Sequence, residues 1–309
     1  MSADGGTVED FRRSQVEQEQ VCRIYQMKEQ LEDVDTCVLD QERLDSLGVA
    51  IGHPLDVDDK GTWDLGTTFF QPWVPSEVLA EVAAGSIWWD KLLSEHSPAE
   101  WEYASYKTEW FTMSLKHLYE MDRDLWEPWH VDLTQINLGT GLQLPFYREG
   151  TIDRDVQLQY QPEGAYFPVD ETKPHVCCCV GDSTEDPGDQ VLRSDVDYAI
   201  ALVSFRLRMG RHTGHHTKPG LIYTFERDEF ARITQVHFDG KTNKLVLRQS
   251  RQLDLRGPEP TADAFLLLRW MANRPIGETE YVDEAEPEKE EATTPDRPNT
   301  APKLLLGCA

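Results

Sequence analysis

The chain has 309 residues, 56 of them Asp or Glu against 30 Lys or Arg, and a formal charge of −26 near neutral pH. A field of that sign repels phosphate backbones and anionic lipid, which disfavours nucleic acid and membrane surfaces as partners. With 39% hydrophobic residues and nine Trp, ten Tyr and eleven Phe, the composition also excludes a wholly disordered chain.

No apolar run reaches the roughly eighteen residues that mark a membrane helix, and Met1 is followed by polar and acidic residues rather than an apolar leader. Cys177, Cys178 and Cys179 are adjacent, whereas Cys22, Cys37 and Cys308 share no framework spacing. That usage fits a reducing compartment. The expectation is a protein of the cytosol or nucleus.

Residues 1–12 are small, acidic and glycine-containing, and read as a disordered start. Residues 13–128 read as a mainly helical part. Near its start Val16, Gln20, Arg23, Ile24, Met27, Leu31 and Val34 form a partial three-four repeat amid Glu and Gln, which predicts a solvent-facing helix, with a short coiled-coil seam as the alternative. Residues 48–75 mix Gly, Pro, Asp and aromatics without a period, and read as a long connection that lays Trp63, Phe69, Phe70 and Trp73 onto the body. Pro75-Ser76 opens a short helix through Trp88 and Trp89. Ser97, Pro98 and Glu100 supply an N-cap, a first-position proline and a capping-box acid. The aromatic-rich run behind them, with Trp101, Tyr106, Trp110, Phe111 and Leu118, is too broadly apolar for one stripe and predicts a helix covered on more than one side.

From residue 129 to 277 the pattern becomes that of a sheet-containing part. Strands are predicted over 131–138, 142–147 and 156–160, and then at His175-Val176-Cys177-Cys178-Cys179-Val180, whose unbroken apolar run suits a strand covered on both faces. Neighbouring strand side chains point to opposite faces, so Cys177 and Cys179 share a side and no four-ligand metal cage follows. The three read as small core hydrophobes. A helix capped near Ser194 follows, with Val196, Ala199, Ile200, Val203 and Leu207 on one face. Strands are then predicted over 221–225, 233–238 and 245–249, the last two joined by the hairpin Asp239-Gly240-Lys241-Thr242-Asn243. Thr261 caps a final helix with Phe265, Leu267, Leu268 and Met271 inward. Residues 278–309 begin with nine acids and two bases over 278–297 and read as a disordered acidic tail. The fold class expected is α+β, a mixed sheet packed by aromatic-rich helices.

Charge is unevenly placed. Residues 190–257 hold twelve Lys or Arg against seven acids, a surplus of +5 that leaves −31 elsewhere. These residues read as ordinary solvated faces, or else as a basic interaction face, built on Arg206, Arg208, Arg211, Arg232, Arg248 and Arg251, for an acidic partner or the chain's own tail. His212, His215 and His216 crowd one glycine-containing loop; a solvated loop is the reading, with a zinc, copper or nickel site as the alternative. No phosphate-binding loop, dinucleotide fingerprint or nucleophile elbow is present.

Asp170 closes Phe167-Pro168-Val169-Asp170, and Asp182 follows the cysteine strand as Val180-Gly181-Asp182. With the helix and strands that follow, the order of elements over 166–249 resembles the PD-(D/E)XK nucleases. That resemblance implies a magnesium ion held by Asp170 and Asp182, water activated on it, and a lysine two residues beyond the second acid to stabilise developing charge. Thr184 stands at the lysine position, a departure that implies a divergent or inactive form. A second stretch, from His215-His216-Thr217-Lys218-Pro219 through Ile233-Thr234-Gln235-Val236-His237-Phe238-Asp239-Gly240 and Leu245-Val246-Leu247-Arg248-Gln249-Ser250 to Leu267-Leu268-Arg269-Trp270-Met271, is similar to uncharacterised proteins of filamentous fungi and implies a source without an activity.

The leading expectation is a non-catalytic intracellular binding or regulatory protein with a protein partner and no cofactor. The alternative is the magnesium-dependent nuclease. A third reading is a self-inhibited interaction protein whose tail from Glu278 docks on the basic region.

Overall fold

The structure is a computed structural model that describes residues 8–58, 66–72, 129–131, 150–152, 156–158, 160–184, 187–227, 229–257, 261–271 and 273–281. The predicted aromatic helices over 76–89 and 97–119, the strands over 132–147 and the tail beyond Tyr281 lie outside the described residues.

Helix α1 (Val8–Glu32) opens the chain, so the expected disordered start is helical from Val8 onward. Glu17, Gln20, Ile24, Met27 and Leu31 are buried along it at alternating spacings of three and four. The helix is therefore not solvent-facing: that stripe packs against a later helix of the same chain. Strand β1 (Val38–Leu39) and helix α2 (Gln41–Leu47) follow. Asp40 caps α2 by accepting the Arg43 N–H at 2.9 Å, and Gly48 ends it at φ 80°, a left-handed conformation that favours glycine. The first part of the expected long connection is in fact strand β2 (Val49–Ile51), and its far end is β3 (Phe70–Gln71). Phe69 and Phe70 are buried in the core, as expected of that segment.

The central sheet contains β4 (Trp129–Val131), β7 (Tyr160–Pro168), β8 (Val176–Asp182), β10 (Gly220–Glu226), β11 (Phe230–Asp239) and β12 (Lys244–Gln249). Its order is β2-β12-β11-β10-β8-β7-β4, with β13 (Leu253–Asp254) paired to β11. β8 and β10 are parallel, as are β12 and β2, and the remaining neighbours are antiparallel. A separate two-stranded pair joins β5 (Gly150–Ile152) and β6 (Val156–Leu158). Strand β9 (Val191–Leu192) pairs with β1, and β14 (Arg274–Pro275) with β3.

Helix α3 (Arg193–Arg208) is the crossover between parallel β8 and β10. Its N-cap is Leu192 rather than Ser194, and it is buried nearly all round instead of on one face. Helix α4 (Ala262–Met271) is capped by Thr261, whose Oγ1 accepts the Ala264 N–H at 3.1 Å. Leu267, Leu268 and Met271 are buried as expected, and Phe265 is half-buried. The hairpin between β11 and β12 turns as predicted, with Asp239 Oδ1 accepting the Lys241 N–H at 2.9 Å; the left-handed residue is Asn243, at φ 56°.

The sheet separates two hydrophobic clusters. One holds Cys177, Cys179, Leu221, Tyr223, Ile233 and α4, and the other holds Cys178, Val180, Ile222, Val236, α3 and the buried stripe of α1. The cysteines thus divide between the faces by the period-two rule. Burial pushes the Cys177 and Cys178 thiols up, which keeps them protonated core groups.

Because Met27 is buried and Phe11 is 74% exposed on the same helix, Met27→Ala is expected to cost about 2–5 kcal/mol. Phe11→Ala should stay within about 0.5 kcal/mol. Urea denaturation checks both; equal effects would refute the packing of α1.

Candidate functional site

Two acids expected to share a metal ion are separated by the strand register. β7 runs antiparallel to β8, with Tyr160 opposite Asp182 and Tyr166 opposite Cys177. Asp170, beyond the end of β7, therefore sits in the turn beside the start of β8, while Asp182 closes that strand. The intervening length is at least the whole of β8, roughly 20 Å at about 3.3 Å per residue. Asp170 is exposed and turned inward on its own loop, accepting the Thr172 N–H at 3.0 Å and the Thr172 hydroxyl at 2.6 Å. Those bonds hold its carboxyl below the ordinary range. The expected pairing of Asp170 and Asp182 is thus corrected: the antiparallel β7–β8 hairpin puts the two acids at opposite ends of one strand.

Asp182 instead joins a buried ionic cluster where the carboxyl ends of β8 and β10 meet the N-terminus of α3. The parallel register sets Glu226 beside Asp182. Ser194 donates its hydroxyl to Asp182 Oδ2, and Asp182 Oδ1 accepts the Thr184 N–H at 2.8 Å. Asp195, three residues past the N-cap, accepts the Leu192 N–H, one half of a capping box. It also accepts the Thr224 hydroxyl at 2.6 Å and the Gln249 amide at 2.8 Å. Arg232 comes from β11. It forms an ion pair with Glu226 at 3.1 Å and donates to the carbonyls of Gln190 at 2.7 Å and Gly188 at 2.6 Å. Gln252 donates to the other Glu226 oxygen at 2.5 Å. Beside the cluster, Tyr160 donates to Asp197 at 2.6 Å, and the Arg193 guanidinium lies buried near Tyr160 and Cys37.

Burial dominates the electrostatics here. It pushes Asp182 up, Asp195 to about 6 and Glu226 to about 7. Arg232 and the hydrogen bonds pull the other way without offsetting it, and the neighbouring carboxylates raise one another further. Residue spacing alone does not single out Asp195 and Glu226. A signal was there: an acid closes each of two apolar strands, in Gly181-Asp182 and Phe225-Glu226.

The other expected site residues are distributed through the fold. Arg248 donates to the carbonyls of His53, Thr67 and Pro54 at 2.9, 2.6 and 3.1 Å. Arg251 bridges Asp58 and Asp263, each at 2.7 Å. Arg206 donates to the His175 carbonyl and stacks over Phe167, its guanidinium carbon 4.9 Å from the ring centre. Arg206, Arg232 and Arg248 are buried, whereas Arg208 and Arg211 are exposed. The six do not form one free basic face: Arg206, Arg232, Arg248 and Arg251 hold the fold together, and exposed Arg208 donates to Tyr25 Oη on α1 at 2.7 Å. The histidine loop is also corrected: His212 and His215 are buried and only His216 is exposed. Burial pushes His212 down to about 4.

Among the described residues, no group of three or more His, Cys, Asp or Glu side chains is arranged to hold a metal ion, and no helix is long and apolar enough to cross a membrane. No protein-family model, curated protein or solved structure matches the chain.

Glu226 carries a folded pKa raised to about 7 from a reference of 4.5. Its stabilising contribution is complete below the reference value and is lost as pH rises through 7. Wild-type stability should therefore fall by roughly 1–3 kcal/mol from this group between pH 5 and pH 8. Glu226→Gln should flatten that slope in denaturant titrations at the two pH values; an unchanged slope would show that Glu226 does not carry it.

Proposed function

We propose that this chain is a non-catalytic binding or regulatory protein whose ionic clusters serve the fold. The observation that carries the reading is the register of β7 on β8, which leaves Asp170 and Asp182 a strand length apart, each held by its own loop's donors. A hydrolytic site needs its carboxylates to converge on one cation, since a hard ion is bound by several oxygens at once. Here Asp182 is hydrogen-bonded within the body instead. The use of Arg206, Arg232, Arg248 and Arg251 in contacts within the chain, in a protein of charge −26, favours a protein partner with a basic face over an acidic one.

The alternative is a divergent or inactive PD-(D/E)XK-like protein. The β8–α3–β10 unit favours it, because an acid ends one parallel strand beside its crossover helix. Purified full-length protein incubated with magnesium and labelled DNA or RNA distinguishes the two. The expected result is no cleavage above the no-protein control. Magnesium-dependent cleavage that disappears in Asp182→Asn would overturn the proposal in favour of the nuclease.

A further inference from the structure

The carboxyl-terminal described segment lies across the opposite end of the β8 and β10 pair from the carboxylates. Asn273 anchors it to the core by donating to Tyr223 Oη at 2.8 Å and to the Trp270 carbonyl at 2.9 Å. β14 then pairs with β3, and the Ile276 N–H donates to the Phe69 carbonyl at 2.9 Å. Beyond that point the hydrogen bonds that hold the segment run to His175 and to the histidine loop. His175 Nε2 lies 3.0 Å from the Ile276 carbonyl, and His215 Nδ1 lies 2.8 Å from Thr279 Oγ1. The backbone N–H of His216 donates to the Thr279 carbonyl at 2.8 Å, and that of Tyr281 to the Gly214 carbonyl at 3.0 Å. The His216 and Tyr281 rings meet edge to face at 5.6 Å.

We propose that residues 274–281 form an acid-released strap, hinged at Asn273 and latched by His175, His215 and the loop that carries His216. Neutral His175 can donate through Nε2 to Ile276, which leaves Nδ1 buried with no hydrogen-bond partner. A proton added at Nδ1 enters a buried position without a partner, and burial outweighs the Ile276 and Phe69 carbonyls, which favour the charged ring.

The surroundings oppose that proton from several elements. Arg206 on α3 and Lys173 in the β7–β8 turn face His175. Lys218, Lys173 and the His212 ring, edge to face at 5.9 Å, face His215, opposed by Glu280 on the strap. Lys218 and Lys241 face His216, opposed by Glu278. From α1, Glu17 is already paired with Lys218, and Arg13 stacks on Tyr281 at 4.9 Å. Burial is the largest influence on all three histidines and pushes them down, His175 to about 4.

The sign follows. A histidine that titrates lower when latched than when released binds its proton preferentially in the released state, so opening becomes easier as pH falls below about 6.5. Seven acids over 283–296 follow the strap in the sequence. The inference stands apart from the proposed function, since it concerns how the chain's own end is held.

Hydrogen exchange on the full-length protein, corrected for the intrinsic pH dependence of exchange, tests it. Protection of peptides covering 274–281 is expected to fall at least about tenfold between pH 7.5 and pH 5.0, as linkage of even one such histidine requires, while peptides from β10 and β11 keep theirs. In His175→Gln/His215→Gln, whose side chains cannot take up the proton, the strap's protection should vary with pH much less. Unchanged wild-type protection, an equal loss in strap and core, or the same pH response in the double variant would each overturn the strap. If the double variant does not fold, the wild-type pH series decides alone.

Discussion

The parallel pairing of β8 with β10 is the constraint on which the rest of this structure depends. Parallel neighbours cannot be joined by a short turn, so the chain must leave one end of β8 and return to the other through a crossover. α3 supplies it. Both strands are buried along their whole length, and their backbone groups are satisfied by neighbours on each side. Apolar and neutral polar side chains fill the two faces, and the charged groups gather at the strand ends, where a helix terminus or a loop carbonyl can meet them.

The two ends differ in chemistry because α3 has a direction. Its N-terminus carries partial positive charge and receives Asp182 and Asp195; its last turn carries Arg206 and Arg208, which suit the negative pole. Burial then acts on acids at one end and on histidines at the other. It raises the acids and lowers the histidines, so each group is driven toward its neutral form. The two ends therefore respond to pH in opposite senses. A global stability measurement would partly average them, whereas a local one would separate them.

The arginines show how strongly packing can alter the meaning of a charge. A guanidinium offers five donors in a rigid fork, and a body made of short strands and connecting loops presents many carbonyls that need donors. Arg248 gathers carbonyls from residues as far as 195 positions away in the chain, and Arg232 gathers two from the loop before α3. Each arginine so engaged is withdrawn from the surface, as are the acids buried beside it.

Local signals were readable in the sequence itself. The Thr261 cap, the Asp239 turn, the helical stretch of α1 and the alternation of Cys177, Cys178 and Cys179 all depend on residues within a few positions of one another, where periodicity and turn chemistry act. The α+β class followed from them. The tertiary structure alone decided that α1 is packed, that His212 and His215 are buried, that Asp170 and Asp182 lie at opposite ends of β8, and that Glu226 stands beside Asp182 instead. Those outcomes turn on strand register and parallel pairing between segments far apart in the chain. Register is a choice among pairings of similar local chemistry, and it is settled only when both faces of the sheet are filled at once.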